Sequence, residues 1–154
     1  TSRFTPAGPD HAQIASVNGV IDYFEAIDAH HFDASADSTK TSRVWALLHR
    51  AETENLEPLL DFLKQRKGIN LIGKPTTDNR APTVSFTVDG VDPEVIAEKL
   101  AKQRIGIANG NCYAYRLMEA LGIHPERGVV RLSFVHYTSK EEVRRLIDAL
   151  ADII

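Results

Sequence analysis

Apolar residues recur at spacings of three and four through the first third of the chain. Ile14, Val17, Ile21, Phe24 and Ile27 predict an amphipathic helix of about five turns, ending near the "AHHFDAS" stretch. Pro9 suits a first helical position and Asp10 favours the positive end of the helix dipole. Residues 1–8 hold two helix breakers and read as an extended lead-in. A second helix is expected from about Ser38 to Lys67, with Val44, Leu47, Leu48, Ala51, Leu56, Leu59, Leu60 and Leu63 as its stripe. Pro58 should kink or divide it. Gly68 is a stop signal, and Lys64, Arg66 and Lys67 complement the negative end of the dipole.

From residue 69 the period changes. "INLIG" reads as a short strand and "KPTTDNRAP" as a loop of turn formers. "TVSFTV" alternates, with Val84, Phe86 and Val88 on one face and Thr83, Ser85 and Thr87 on the other. Asp92 caps a helix with Pro93 in its first turn and Val95, Ile96, Leu100 and Ala101 as its apolar face. "IGIANGN" is a strand running into a loop, "AYRLMEALG" a short helix stopped by Gly122, and "GVVRLSFV" the last strand. Ser139 and Glu142 form a capping box ahead of a helix burying Val143, Leu146, Ile147, Leu150 and Ile153. The expected order is α-α-β-β-α-β-α-β-α. It implies an α/β (α+β) fold: a small, mostly antiparallel sheet covered by helices on one face, preceded by two connecting helices. The expected division is residues 1–67 for the lead-in and connecting helices, and 68–154 for the small α/β domain.

Composition narrows the classes of function. At 43% hydrophobic and 25% charged residues over 154 positions, the chain can bury a core. A net charge of −3 gives no general attraction to nucleic acid. The apolar runs fall short of a membrane span, and the first twenty residues lack a secretory pattern. The single cysteine, Cys112, excludes an internal disulfide and fits a reducing cytoplasm. The chain begins Thr-Ser-Arg and its only methionine is Met118, so further sequence is expected upstream.

Arg131 is the conspicuous residue. It sits mid-strand, alternating with Val129, Ser133 and Val135, while Val130, Leu132, Phe134 and His136 point the other way. A permanently charged guanidinium is costly to desolvate. It is either one half of a structural ion pair or an anion receptor, since a planar fork on a rigid strand suits bidentate grip on a carboxylate. Asn109, Gly110 and Asn111 form a turn whose backbone can approach a ligand. Cys112 reads as a small apolar group, and Tyr113 and Tyr115 as packing or hydrogen-bonding groups. His30, His31 and His49 lack partners at metal-ligand spacing, so no metal site is expected. His136 and Tyr137 close the last strand. No phosphate loop, nucleophile elbow or dinucleotide fingerprint is present.

Four stretches together carry a resemblance: "RFTPAGPDHAQIASVNGVIDYF", "PTVSFTVDG", "GIANGNCYAYRLMEALGI" and "GVVRLSFVHYTSKEEVRRLIDAL". In order and spacing they resemble the C-terminal third of the class V aminotransferases, closest to the cysteine desulfurase-like proteins. The resemblance implies the small domain of a fold-type I pyridoxal-phosphate enzyme acting on an amino acid as a cytoplasmic homodimer. It implies that Arg131 binds the substrate α-carboxylate, and that Asn111 and Tyr113 belong to a loop closing over the substrate. Gly8 stands where the family carries a threonine that reaches the cofactor phosphate, leaving a backbone N–H for that contact. An ungapped match puts Tyr113 at the family's persulfide-carrying cysteine, with Cys112 one residue earlier. The Schiff-base lysine would lie upstream, so no catalytic residue is expected in this chain, and the chain alone should be inactive. The alternative from the residues themselves is a stand-alone, non-catalytic anion- or metabolite-binding or dimerisation module.

Overall fold

The computed structural model describes residues 10–33 and 39–154. In chain order its elements are α1 (His11–His31), α2 (Lys40–Lys64), β1 (Ile69–Ile72), β2 (Thr83–Val88), α3 (Pro93–Lys102), β3 (Ala108–Gly110), α4 (Tyr115–Ala120), β4 (Val129–Ser133) and α5 (Lys140–Ala151). This is the expected order. Gly8, Pro9 and Ser38 lie outside the described residues.

The strands form one sheet in the order β1-β2-β4-β3, and every neighbouring pair is antiparallel. Alternation decides its faces. Val84 and Phe86 of β2 and Val130 and Leu132 of β4 enter the core with Phe134. Helices close over them with Leu56, Leu59, Leu60 and Leu63 from α2, Ile96 and Leu100 from α3, and Val143, Leu146, Ala149 and Leu150 from α5. The opposite face carries Asn70 and Ile72 of β1, Thr83, Ser85 and Thr87 of β2, and Val129, Arg131 and Ser133 of β4, as the register requires. Helices thus cover one face, and the second face is largely polar.

The local signals explain most element ends. Asp92 accepts from Glu94 N as the α3 cap, and the Ser139–Glu142 capping box opens α5. Gly68 and Gly122 sit at φ +79° and +70° beyond the ends of α2 and α4, a region that favours glycine. Asp10 caps α1, its carboxylate accepting from Ala12 N and Gln13 N. Three expectations need correction. Pro58 lies inside α2 without dividing it. Pro58 and Glu54 are both exposed, so water can serve the carbonyl that the missing N–H leaves free. In α3 the buried stripe is Pro93, Ile96 and Leu100, whereas Val95 and Ala101 are exposed, because only the 3-4 spacing stays on one face. His136 and Tyr137 do not close β4, which ends at Ser133; they lie in a turn where Thr138 N donates to Val135 O at 2.9 Å.

Packing divides the chain into two compact units, one ending at Leu48 and one running from His49 to Ile154. In the first, Asp28 and Arg43 form a buried bidentate pair: Arg43 Nε donates to Asp28 Oδ1, and Nη2 to Oδ2 at 2.6 Å. This pair, not the apolar stripe, is the buried part of α1. Asp28 is the helix's one buried side chain, whereas Ile14, Val17 and Ile21 are more than half exposed. No helix among the described residues is long and apolar enough to cross a membrane.

Candidate functional site

Arg131 lies at the centre of the second face. Its register partners are Ser85 on β2 and Ala108 on β3, and directly opposed antiparallel residues project on the same side. The residue is half-buried. Its Nε is fully buried with no hydrogen-bond partner. None of the ion pairs among the described residues includes it. Among the described residues the structural ion pair therefore has no counterpart. What remains is a guanidinium on a rigid strand with an unmatched N–H, a costly arrangement unless an anion completes it. One rung along, Thr83 and Ser133 share a hydroxyl–hydroxyl bond of 3.2 Å.

The loop after β3 is built differently. Gly110 pairs with Val129, and Ala108 with Arg131, so Asn111 begins three residues, roughly 10 Å, along from the Arg131 rung. Asn111 Oδ1 accepts from Tyr113 N at 3.1 Å, and its Nδ2 donates to Pro125 O at 3.4 Å. Cys112 and Tyr113 both adopt the left-handed region, at φ +51° and +63°. Cys112 is half-buried and its thiol donates to Gly110 O at 3.7 Å. Tyr113 is fully exposed, at 105%. The structure thus places Asn111 and Tyr113 together in one loop, at the end of the strand pair that carries Arg131. Gly8, the expected cofactor contact, lies outside the described residues.

Sequence reasoning missed the residues that anchor this loop. Gly128 has φ +65°, and a Cβ there would lie 2.0 Å from Gly110 C and 2.5 Å from Asn111 N. Arg127 Nε donates to Asp92 Oδ2 at 3.1 Å, fastening the same turn to the start of α3. The available signal was "HPERG", with proline early and glycine late in a tight turn.

Residues 2–146 match the family described as aminotransferase class-V. The chain belongs to the class V aminotransferases. Within that family it is cysteine desulfurase-like. It is 33% identical over 115 residues to an aminotransferase-like protein of Gibberella zeae, covering 73% of this chain and 29% of that protein. It is 29% identical over 147 residues to a probable cysteine desulfurase of Pseudomonas putida, covering 96% of this chain and 31% of that one. The solved apo cysteine desulfurase of Thermococcus onnurineus superposes with a TM-score of 0.66 at 26% identity, over 75% of this chain and 28% of that chain. The cysteine desulfurase CsdA of Escherichia coli shares the fold, with a TM-score of 0.66 at 20% identity over 95% of this chain and 31% of that chain. This class V chain therefore spans about three-tenths of the length of these relatives.

Proposed function

We propose that this chain is the C-terminal part of a pyridoxal-phosphate enzyme acting on an amino acid by transamination, β-elimination or desulfuration. The observation that carries the reading is the Arg131 guanidinium, set on the second face with a buried and unmatched Nε. A substrate α-carboxylate supplies the anion that it lacks, in the bidentate geometry that arginine favours. The Asn109–Tyr113 loop, which contains Asn111 and presents Tyr113, closes over the same substrate. Residues 1–67 serve as lead-in and connecting helices and 68–154 as the small domain of a cytoplasmic homodimer.

The described residues do not by themselves make a cofactor site. No strand residue on the Arg131 face is a lysine. Lys40 pairs with Glu25 at 3.8 Å, and Lys99 is exposed on α3. The Schiff-base lysine accordingly belongs to a larger domain upstream, the Gly8 N–H contributes to the phosphate contact, and the chain alone is inactive. A second reading, a non-catalytic anion-binding or dimerisation module, is favoured by one observation. The exposed apolar residues of α1 border an open groove of about 310 Å³ lined by Val20, Ile21, Phe24 and Val44.

The test uses the full-length protein. It should turn yellow with pyridoxal phosphate, and borohydride reduction should label a lysine upstream of Thr1. Arg131→Lys should leave that spectrum intact and raise the amino-acid KM at least about tenfold, the scale of a lost charged hydrogen bond. A colourless, unlabelled protein would favour the module. An unchanged KM would remove Arg131 from the site.

A further inference from the structure

We propose that Asn111 is a positioning residue: its carboxamide clamps the loop after β3 to the turn at 124–128 and thereby fixes where Tyr113 is presented, without touching the ligand. The inference rests on the reading that this loop closes over a substrate held by Arg131. Both ends of the carboxamide are engaged within the protein, Oδ1 by Tyr113 N at 3.1 Å and Nδ2 by Pro125 O at 3.4 Å. The first contact is an Asx-type turn and shapes the loop; the second ties it to a neighbouring segment.

That neighbouring segment is itself held. His124 O accepts from Arg127 N at 3.0 Å and from Gly128 N at 2.9 Å. Arg127 is paired with Asp92, and Gly128 is pressed against Gly110 and Asn111. The loop needs such support. Two consecutive non-glycine residues, Cys112 and Tyr113, occupy the left-handed region, a costly conformation that persists where the surroundings over-determine it. Tyr113 is fully exposed, so the backbone that Asn111 holds decides where its ring stands.

Two variants separate the two contacts. Asn111→Asp keeps the acceptor for Tyr113 N and removes the donor to Pro125 O; Asn111→Ala removes both. Hydrogen exchange of peptides spanning 109–115 in the full-length protein should quicken about fivefold in Asn111→Asp and further in Asn111→Ala, the scale of one lost hydrogen bond. Peptides from β2 and α5 should not change. The Kd for L-alanine, read from the visible spectrum of the cofactor-loaded protein, should weaken in the same order. Unchanged loop exchange would overturn the proposal. So would a loosened loop with unchanged L-alanine affinity, or a weakened affinity with an unaltered loop, which would make Asn111 a direct ligand contact. Arg131→Lys separates the parent reading: if it fails to weaken L-alanine while the Asn111 variants do, the anchor falls and the positioning role stands.

Discussion

At the scale of single residues, two glycines show how differently one residue type can be required. Gly110 and Gly128 both have positive φ, at +98° and +65°. A Cβ on Gly110 would meet nothing within 4 Å, whereas one on Gly128 would lie 2.0 Å from Gly110 C and 2.2 Å from Gly110 O. Gly110→Ala therefore carries only a conformational cost, of order 1–3 kcal/mol. Gly128→Ala adds a collision between two backbones that no rotamer can relieve, and should cost more than about 3 kcal/mol. Chemical denaturation of the two variants checks this, and equal losses would show that the two segments do not press together in solution. The same crossing seats the stem of the Asn111 loop, so Gly128→Ala should disturb that loop before it disturbs α5.

At the scale of elements, the Asp28–Arg43 pair joins α1 to the first turns of α2. The hydrogen bonds from Arg43 hold the Asp28 carboxyl below the usual aspartate range, outweighing the opposing effect of its burial. A carboxyl whose folded pKa is depressed stabilises the fold above its unfolded value of about 4. That contribution is lost as pH falls through the lowered folded value. The stability difference between the native chain and Asp28→Asn should be constant above about pH 5 and shrink steadily below pH 4. A difference unchanged to pH 2 would mean that the pair does not stabilise the helices. Elements were also what the sequence disclosed best. The switch from three-four spacing to alternation at residue 69 marks where helices give way to strands, and Asp92, Ser139, Gly68 and Gly122 marked ends through local chemistry. Arg131 stood out because alternation alone assigns its face. Its neighbours Ser85 and Ala108 were illegible, because register depends on pairing between residues distant in the chain. Gly128 against Gly110 escaped notice for the same reason. The exposed face of α1 was misjudged because periodicity says which residues share a face, not whether anything covers it.

At the scale of the whole molecule, the distribution of burial predicts a gradient of local stability. Val84, Phe86 and Val130 are fully excluded from solvent and packed beneath three helices. Their strand amides can open only when that core comes apart, so they should exchange at the rate of global unfolding. α1 has one buried side chain, Asp28, and leaves Ile14, Val17, Val20 and Ile21 more than half exposed. Propensity alone sustains a helix of that length only marginally, and the Asp28–Arg43 and Glu25–Lys40 pairs hold it in its C-terminal half. Amides between Ile14 and Ile21 should therefore exchange at least roughly 100-fold faster than those of β2 and β4, by local opening that spares the sheet. Amides near Asp28 should lie between the two. Exchange measured by mass spectrometry on the 154-residue chain, with sedimentation at the same concentration, decides the matter. Equal protection of α1 and β4 in a sedimenting monomer would contradict the burial pattern. Equal protection in a dimer would mean that a second copy covers the apolar face of α1, and protection there should then fall on dilution while that of β4 stays fixed.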